Sequence, residues 1–172
     1  MPRNIEIKAR VASLDALAAK VAAISTAGPT ALRQNDTFFL CEAGRLKLRT
    51  FSQHEGELIF YRREDRAGPK ESFYVRSSTA APESLRHALT LALGQVGRVV
   101  KHRTLFLIGR TRVHLDQVER LGEFMELEVV LEEGEPPAVG VHEANTIMER
   151  LGIAPQQLLE GAYVDLLARR GG

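Results

Sequence analysis

The chain has 172 residues, of which 44% are hydrophobic and 26% charged, and its formal net charge is +1. This length suffices for one domain with a sizeable core, and the composition is that of an ordinary globular protein. Because the net charge is near zero, nothing in it requires a nucleic acid or a membrane surface as partner. Any electrostatic function must come from how the charges are arranged.

Cysteine content and hydropathy indicate the cellular compartment in which we expect the protein. The single cysteine, Cys41, excludes an internal disulfide framework and fits a reducing cytoplasm. Charged residues recur from Arg3 onward before any apolar run forms, so we expect no signal peptide. No apolar run approaches the roughly 20 residues that a membrane-spanning helix needs. These features predict a cytoplasmic protein with no membrane partner.

The first predicted elements are a strand and a helix. In residues 3–11, "RNIEIKARV", polar and apolar side chains alternate, which is the primary signal of a β-strand. Ser13 is placed to cap a helix that runs to about Ile24, with Leu14, Leu17 and Val21 spaced along one face.

The same alternation recurs along the rest of the chain. It predicts strands at 44–49 ("GRLKLR"), 57–63 ("ELIFYRR"), 70–76 ("KESFYVR"), 99–107 ("VVKHRTLFL"), 111–118 ("TRVHLDQV") and 124–130 ("FMELEVV"). A helix is predicted from Pro82 onward, before the strand at 99–107, and another at about Val141 to Leu151. The tail "LLEGAYVDLLARR" fits either a short strand or a helix.

The polar faces of these strands are rich in charge. The bases on them are Lys8, Arg10, Arg45, Lys47, Arg49, Arg63, Lys70, Arg76, Lys101, Arg103 and Arg112, and the acids are Glu6, Glu57, Asp116, Glu126 and Glu128. Either these faces contact solvent, as in many antiparallel sheets, or they line the inside of a barrel whose apolar face is covered by helices. Like charges on neighbouring strands destabilise a sheet, and a bound polyanion would relieve that repulsion.

The residue types indicate what such a polyanion would be. Arginine offers paired donors to phosphate oxygens and lysine a compact point charge, so a concave site suits a short chain of phosphates. Glu6, Glu126 and Glu128 add oxygen ligands of the kind that Mg²⁺ or Mn²⁺ prefers. The strands carry few aromatic side chains for stacking bases, and inward acids do not suit a nucleic-acid groove. We therefore expect no nucleic-acid partner.

Several motifs in order resemble the CYTH superfamily, the triphosphate tunnel enzymes that include class IV adenylyl cyclases, thiamine triphosphatases and inorganic triphosphatases. The superfamily begins with a Glu-x-Glu-x-Lys strand, which here is Asn4-Ile5-Glu6-Ile7-Lys8, so Asn4 replaces the first glutamate. "QNDTFF", "GRLKLR", "YRR", "GPKESFY", "VVKHR", "TRVHLDQVERLG", "FMELEVV" and "AYVDLL" follow in the order of the superfamily. The sequences of these motifs are most similar to those of the class IV cyclase-like branch.

The resemblance implies an α+β fold in which an eight-stranded antiparallel barrel is surrounded by helices, as one domain over residues 1–172. It implies that Glu6, Lys8 and Glu126 are catalytic and that Glu6, Glu126, Glu128 and, more weakly, Asp116 hold Mg²⁺ or Mn²⁺. The phosphates would be bound by Lys8, Lys47, Arg49, Arg63, Lys70, Lys101, Arg103 and Arg112, with Arg10 on the same face.

The reaction itself stays open. We expect hydrolysis of ATP, thiamine triphosphate or inorganic triphosphate, because water is the simpler nucleophile to supply. One alternative is cyclisation of ATP to cyclic AMP and pyrophosphate. Another is a triphosphate or nucleotide receptor in which Asn4 has abolished catalysis, and an RNA-binding barrel is a third.

The remaining candidates are His114 and two residues near the end of the chain. His114 is either a proton carrier or a residue of the barrel wall, and we favour the wall residue. We expect Tyr163 and Asp165 to pack and cap at one barrel mouth. A homodimer stays an open alternative, because the exposed faces of the helices show no heptad seam that would predict one.

Overall fold

The computed structural model describes residues 2–171, so Met1 and Gly172 of the predicted domain lie outside the described residues. Its strands are β1 (Arg3–Arg10), β2 (Ala27–Phe39), β3 (Arg45–Ser52), β4 (Glu55–Arg63), β5 (Lys70–Thr79), β6 (Gln95–Ile108), β7 (Thr111–Val118) and β8 (Gly122–Val130). Its helices are α1 (Leu14–Ile24), α2 (Pro82–Leu93), α3 (Pro137–Leu151) and α4 (Tyr163–Arg170), with a 3₁₀ turn at Pro155–Gln157.

The eight strands close into one antiparallel barrel. Their order around it is β1-β5-β4-β3-β2-β6-β7-β8, and β8 returns to pair with β1. Since side chains alternate across a strand, closure sends every second residue into the interior. The predicted eight-stranded barrel with helices outside is confirmed.

One strand carries no clear alternation in the sequence. β2 has 13 residues, "AGPTALRQNDTFF", and pairs with the 14-residue β6. Its first part contains Gly28 and Pro29, which are rare inside strands, and its inward positions Gln34 and Asp36 are polar and buried. Only the resemblance, through "QNDTFF", had marked part of this segment.

The helices follow their sequence signals with small differences. Ser13 caps α1, since its hydroxyl accepts a hydrogen bond from the Ala16 N–H at 3.2 Å. α3 begins at Pro137, four residues before the predicted start. The ambiguous tail is the helix α4. No helix in residues 2–171 is both long enough and apolar enough to cross a bilayer.

The hydrophobic core has one part outside the barrel and a second part at one end of it. Leu17 and Val21 of α1 and Ile147 of α3 pack on outward residues of β1, β7 and β8, which include Ile7, Val113 and Leu127. A second cluster fills one end of the barrel, where Tyr163 and Val164 of α4 meet Phe38, Val99 and Phe124 of the strands. Away from that end most of the inward residues are polar, and the apolar residues lie on the outer face.

The close packing of α3 gives a test of this arrangement. A Cβ at Gly140 would lie 2.6 Å from Ile5 Cγ1 and 2.7 Å from Leu131 Cδ2, both of which are buried. We expect Gly140→Ala to lower the free energy of unfolding by about 1–3 kcal/mol in urea titration, because the helix must move outward. Val139→Ala on the exposed side of α3 should change it by less than about 0.5 kcal/mol. Equal stabilities of the two variants would contradict the packing of α3 on β1.

Candidate functional site

The barrel interior holds a cavity of about 530 Å³ that is lined by side chains from all eight strands. This volume falls in the range of small-molecule sites. Nine basic and six acidic side chains line it: Lys8, Arg33, Lys47, Arg49, Arg63, Arg76, Lys101, Arg103 and Arg112, with Glu6, Asp36, Glu55, Glu57, Glu126 and Glu128. The charged faces of these strands therefore point inward, which decides between the two interpretations left open by the sequence.

Most of the predicted site residues come together on this wall. They are Glu6, Lys8, Lys47, Arg49, Arg63, Lys101, Arg103, Arg112, Glu126 and Glu128. Three others, Arg10, Lys70 and Asp116, do not line the cavity.

Arg10 was expected on the inner face because it continues the alternation of β1. It is exposed at the end of the strand, and its guanidinium carbon lies 4.9 Å from the centre of the Phe124 ring. Phe124 packs on Tyr163, with ring centres 5.1 Å apart, and the two rings fill this end of the barrel. Arg10 lies beyond that layer, so its placement in the cavity is wrong.

Lys70 and Asp116 are buried inside the wall. Lys70 is 1% exposed, and its ammonium donates to the carbonyl of Arg66 at 2.9 Å. Both carboxylate oxygens of Asp116 accept from Arg103, each at 2.7 Å, and one also accepts from the Tyr163 hydroxyl at 2.8 Å. With these partners Asp116 supports Arg103, and the expectation that it faces the cavity as a ligand is not met.

Asp36 is a residue that alternation did not indicate. It lies on β2, is 1% exposed, and accepts from Lys47 at 3.1 Å and from two nitrogens of Arg49 at 2.8 Å. Burial alone would raise the pKa of Asp36, but Arg49 and Lys47 outweigh it and hold that pKa well below its usual value. Asp36 therefore stays charged and fixes two of the predicted phosphate ligands.

Two buried lysines lie near the end of the barrel that Phe124 and Tyr163 fill. Lys8 Nζ donates to the Gly161 carbonyl at 3.1 Å, and Lys101 Nζ lies 4.0 Å from a carboxylate oxygen of Asp36. They lie 3.9 Å and 4.9 Å from the centre of the Tyr163 ring. Burial lowers the pKa of Lys8 to about 8, and burial together with Arg103 lowers the pKa of Lys101 to about 7. An anion in the cavity would favour the protonated form of both.

Glu126 and Glu128 share one part of the wall with His114. Cross-strand pairing sets His114 of β7 opposite Glu126 of β8, and the three side chains each place a donor atom within 4.8 Å of the others. Burial raises the pKa of Glu126, but Lys8 and its other neighbours overcome this and hold it well below the usual value. Burial lowers the pKa of His114. Two charged carboxylates and a neutral imidazole are suitable ligands for a divalent cation.

The other predicted metal ligands behave differently. Glu6 lies opposite Glu128 in the β1–β8 pairing, but its carboxylate forms an ion pair with Arg63. Asn4 lines the cavity, and its Oδ1 atom is buried without a hydrogen-bond partner among residues 2–171. Glu126 and Glu128 are thus the two predicted ligands that the structure brings together, and His114 joins them.

The turn before α4 combines packing with a cap, as expected. A carboxylate oxygen of Asp165 accepts from the Ala162 N–H at 2.8 Å and pairs with Arg45 at 2.6 Å. Tyr163 does more than was expected, because its ring lines the cavity while its hydroxyl holds Asp116.

Comparison with known proteins gives a family and a fold. The family model described as "CYTH domain" matches residues 2–163. A search of curated proteins finds no match. Among solved structures, the PH1012 protein from Pyrococcus horikoshii OT3 superposes with a TM-score of 0.83 at 21% identity, covering 95% of this chain and 98% of that one.

Two further structures carry functional descriptions of their own. A Vibrio parahaemolyticus protein described as "a putative adenylate cyclase" has a TM-score of 0.76 at 16% identity, covering 96% of this chain and 97% of that one. HpAC1 from Hippeastrum, described as a "putative adenylyl cyclase" with a dominant triphosphatase activity, has a TM-score of 0.65 at 19% identity, covering 98% and 96%. At these identities the likeness establishes the shared fold.

Asp36 provides a test of the charge balance in the wall. Asp36→Asn leaves Lys47 and Arg49 buried without their counter-charge, which costs about 3–5 kcal/mol when a buried pair is broken. We expect the free energy of unfolding in urea to fall by about that amount. The matched control is Asp15→Asn on the exposed side of α1, which should lower it by less than about 1 kcal/mol, because only the interaction of Asp15 with the first turn of the helix is lost. If Asp36→Asn is as stable as the wild type, the ion pairs of Asp36 do not hold this wall together.

Proposed function

The chain belongs to the CYTH domain family, and from this membership and its site we propose that it is a metal-dependent hydrolase that cleaves a triphosphate inside the barrel. The observation that carries the proposal is the excess of cations on the cavity wall, where nine bases face six acids. Buried cations are costly unless paired, so the wall favours a compact, highly charged anion. A triphosphate meets that requirement.

The arginines and lysines of the wall would bind the phosphates in different ways. Arg49, Arg63 and Arg103 present planar pairs of N–H donors that match phosphate oxygens, whereas the lysines contribute point charges. Arg63 and Lys8 both donate to the carbonyl of Gly161, at 3.0 Å and 3.1 Å. A carbonyl is a weaker partner for a cation than a phosphate oxygen, so both groups can turn to the substrate at little cost.

The carboxylates would hold the cation. Glu126 and Glu128 are charged, lie 15% and 17% exposed in the cavity, and are oriented by Lys8 at 3.5 Å and Arg112 at 3.0 Å, respectively. A bound Mg²⁺ or Mn²⁺ supplies neutralisation of phosphate charge and activation of a water molecule. Glu6 is the further candidate, provided that Arg63 exchanges it for phosphate.

Lys8 and the arginines would then act on the charge that develops during cleavage. Phosphoryl transfer depends on positioning and on neutralisation of the phosphate oxygens more than on a covalent partner. Donors fixed in a wall away from bulk water stabilise that charge without reorganisation. Lys8, which lies between Glu126 and the Gly161 carbonyl, is the residue that we assign to the transferred phosphate.

Apolar wall residues favour an organic substrate. Leu32, Phe51 and Leu105 line the same cavity as the charged residues. They offer a surface to a base or a thiamine ring, which inorganic triphosphate would leave unused. We therefore place ATP and thiamine triphosphate ahead of inorganic triphosphate as substrates.

Product analysis tests the reaction. With Mg²⁺ or Mn²⁺ and each of ATP, thiamine triphosphate and inorganic triphosphate, we expect orthophosphate release, resolved by chromatography. Glu126→Gln should reduce the rate by about 100-fold or more, because it removes a metal ligand and a charge. Glu133→Gln in the exposed loop after β8 is the matched control and should retain the wild-type rate. Cyclic AMP and pyrophosphate would assign a cyclase instead, and binding without either product would assign a receptor.

The lowered pKa values of Lys8 and Lys101 predict how triphosphate binding depends on pH. Their pKa values of about 8 for Lys8 and about 7 for Lys101 in the free protein rise when an anion binds, so binding takes up protons. Affinity should be highest below pH 7 and fall by about tenfold or more between pH 7 and 9. Titration calorimetry with inorganic triphosphate in the presence of a chelator, in two buffers of different ionisation enthalpy, measures both effects.

Lys101→Arg is the diagnostic variant for this pH dependence. Because arginine stays charged over the whole range, the variant should take up fewer protons and show a shallower pH dependence. Lys20→Arg, an exposed substitution on α1, should behave like the wild type. A pH-independent affinity of the wild type would contradict a phosphate site beside Lys101.

A further inference from the structure

His114 was expected to be a wall residue, yet its position makes it part of the carboxylate cluster. We propose that His114 Nδ1 is a protein ligand of the same cation as Glu126 and Glu128. The centre is then a mixed nitrogen and oxygen site that binds Mn²⁺ and later transition metals in preference to Mg²⁺. This inference rests on the proposed function for the use of the metal, and its test is independent of catalysis.

The geometry of the three donors supports a shared cation. His114 Nδ1 lies 3.9 Å from Glu126 Oε2 and 3.8 Å from Glu128 Oε1. These separations exceed the length of a normal hydrogen bond. Two metal–donor bonds of about 2.1 Å each span up to about 4.2 Å, so a cation can lie between the nitrogen and either oxygen.

The imidazole nitrogen has no other partner. His114 is 5% exposed, and its Nδ1 atom is buried without a hydrogen bond to any of residues 2–171. A buried polar atom left without a partner is unfavourable, because no group replaces the water molecule that it would bind in the unfolded chain. His114 lines the cavity beside Glu126 and Glu128, so a cation bound there would satisfy this atom.

The other oxygen donors nearby are already committed or neutral. Asp116 gives both its oxygens to Arg103 and one of them also to Tyr163. Glu6 is paired with Arg63, and position 4 is an asparagine. His114 is therefore the third donor that the described wall offers beside the two glutamates.

The donor set determines the choice of metal. Mg²⁺ strongly prefers oxygen ligands, so an imidazole adds little to its binding. Affinity of nitrogen-containing sites increases from Mn²⁺ through Co²⁺ to Ni²⁺. We expect the full chain to bind Mn²⁺ more tightly than Mg²⁺, and Co²⁺ more tightly than Mn²⁺.

Electron paramagnetic resonance of Mn²⁺ bound to the full chain without triphosphate tests the inference. Pulsed spectra of the wild type should show modulation from a ¹⁴N nucleus, and His114→Gln should abolish it. In titrations His114→Gln should weaken Mn²⁺ binding by about tenfold or more, and Mg²⁺ binding, measured by competition, by much less. The matched control, His102→Gln on the exposed face of β6, should leave both affinities and the modulation unchanged.

Each other outcome overturns the inference. Absence of ¹⁴N modulation in the wild type, or its persistence in His114→Gln, would exclude His114 as a ligand. An equal loss of Mn²⁺ and Mg²⁺ affinity would show that the imidazole does not select the metal. The wild-type spectrum does not depend on how well the variant folds. Since no triphosphate is present, these results are also separate from a failure of the proposed hydrolysis.

Discussion

The closed barrel encloses the charged face of its strands, and the rest of the structure depends on this constraint. Alternation gives each strand two faces, and closure leaves one of them no access to bulk solvent except through the ends of the barrel. On the outer face the apolar residues are covered by α1 and α3, and a second apolar cluster with α4 fills one end of the barrel, so the cationic residues face one another across the remaining cavity. Such a wall is stable only if buried acids or a bound anion neutralise it.

Four acids of the wall form two groups that differ in their burial and in how fully bases occupy their oxygens. Asp36 and Asp116 are 1% and 0% exposed, and their oxygens are occupied by the bases that they hold. Glu126 and Glu128 are more accessible and share a corner with the unpartnered nitrogen of His114. The first group maintains the shape of the empty wall, and the second is the part that can receive a cation. This division explains how one cavity can be both stable and ready for a ligand.

Strand alternation predicted seven of the eight strands, and the Ser13 cap predicted the start of α1. Alternation failed to predict β2. The inward residues of this strand are polar, and Gly28 and Pro29 lie near its start, so its sequence shows no regular alternation of polar and apolar residues. Alternation also cannot show where a barrel ends, which is why Arg10 was predicted to face the cavity although it lies beyond the Phe124 ring. The partners of Asp116 and the closeness of His114 to the glutamates depend on cross-strand register. Alternation predicts the face on which a residue lies but not the residue opposite it on the neighbouring strand, so this register could not be predicted from the pattern.

The most direct test of the cationic wall as a triphosphate site is a calorimetric comparison of inorganic triphosphate with orthophosphate on the same preparation of the full chain. The wall presents many donors at fixed spacing, so triphosphate should bind at one site per chain and at least about 100-fold more tightly than orthophosphate. Arg49→Ala should reduce that difference by about tenfold. Equal affinities for the two anions, or no binding of triphosphate, would contradict a triphosphate site in the barrel.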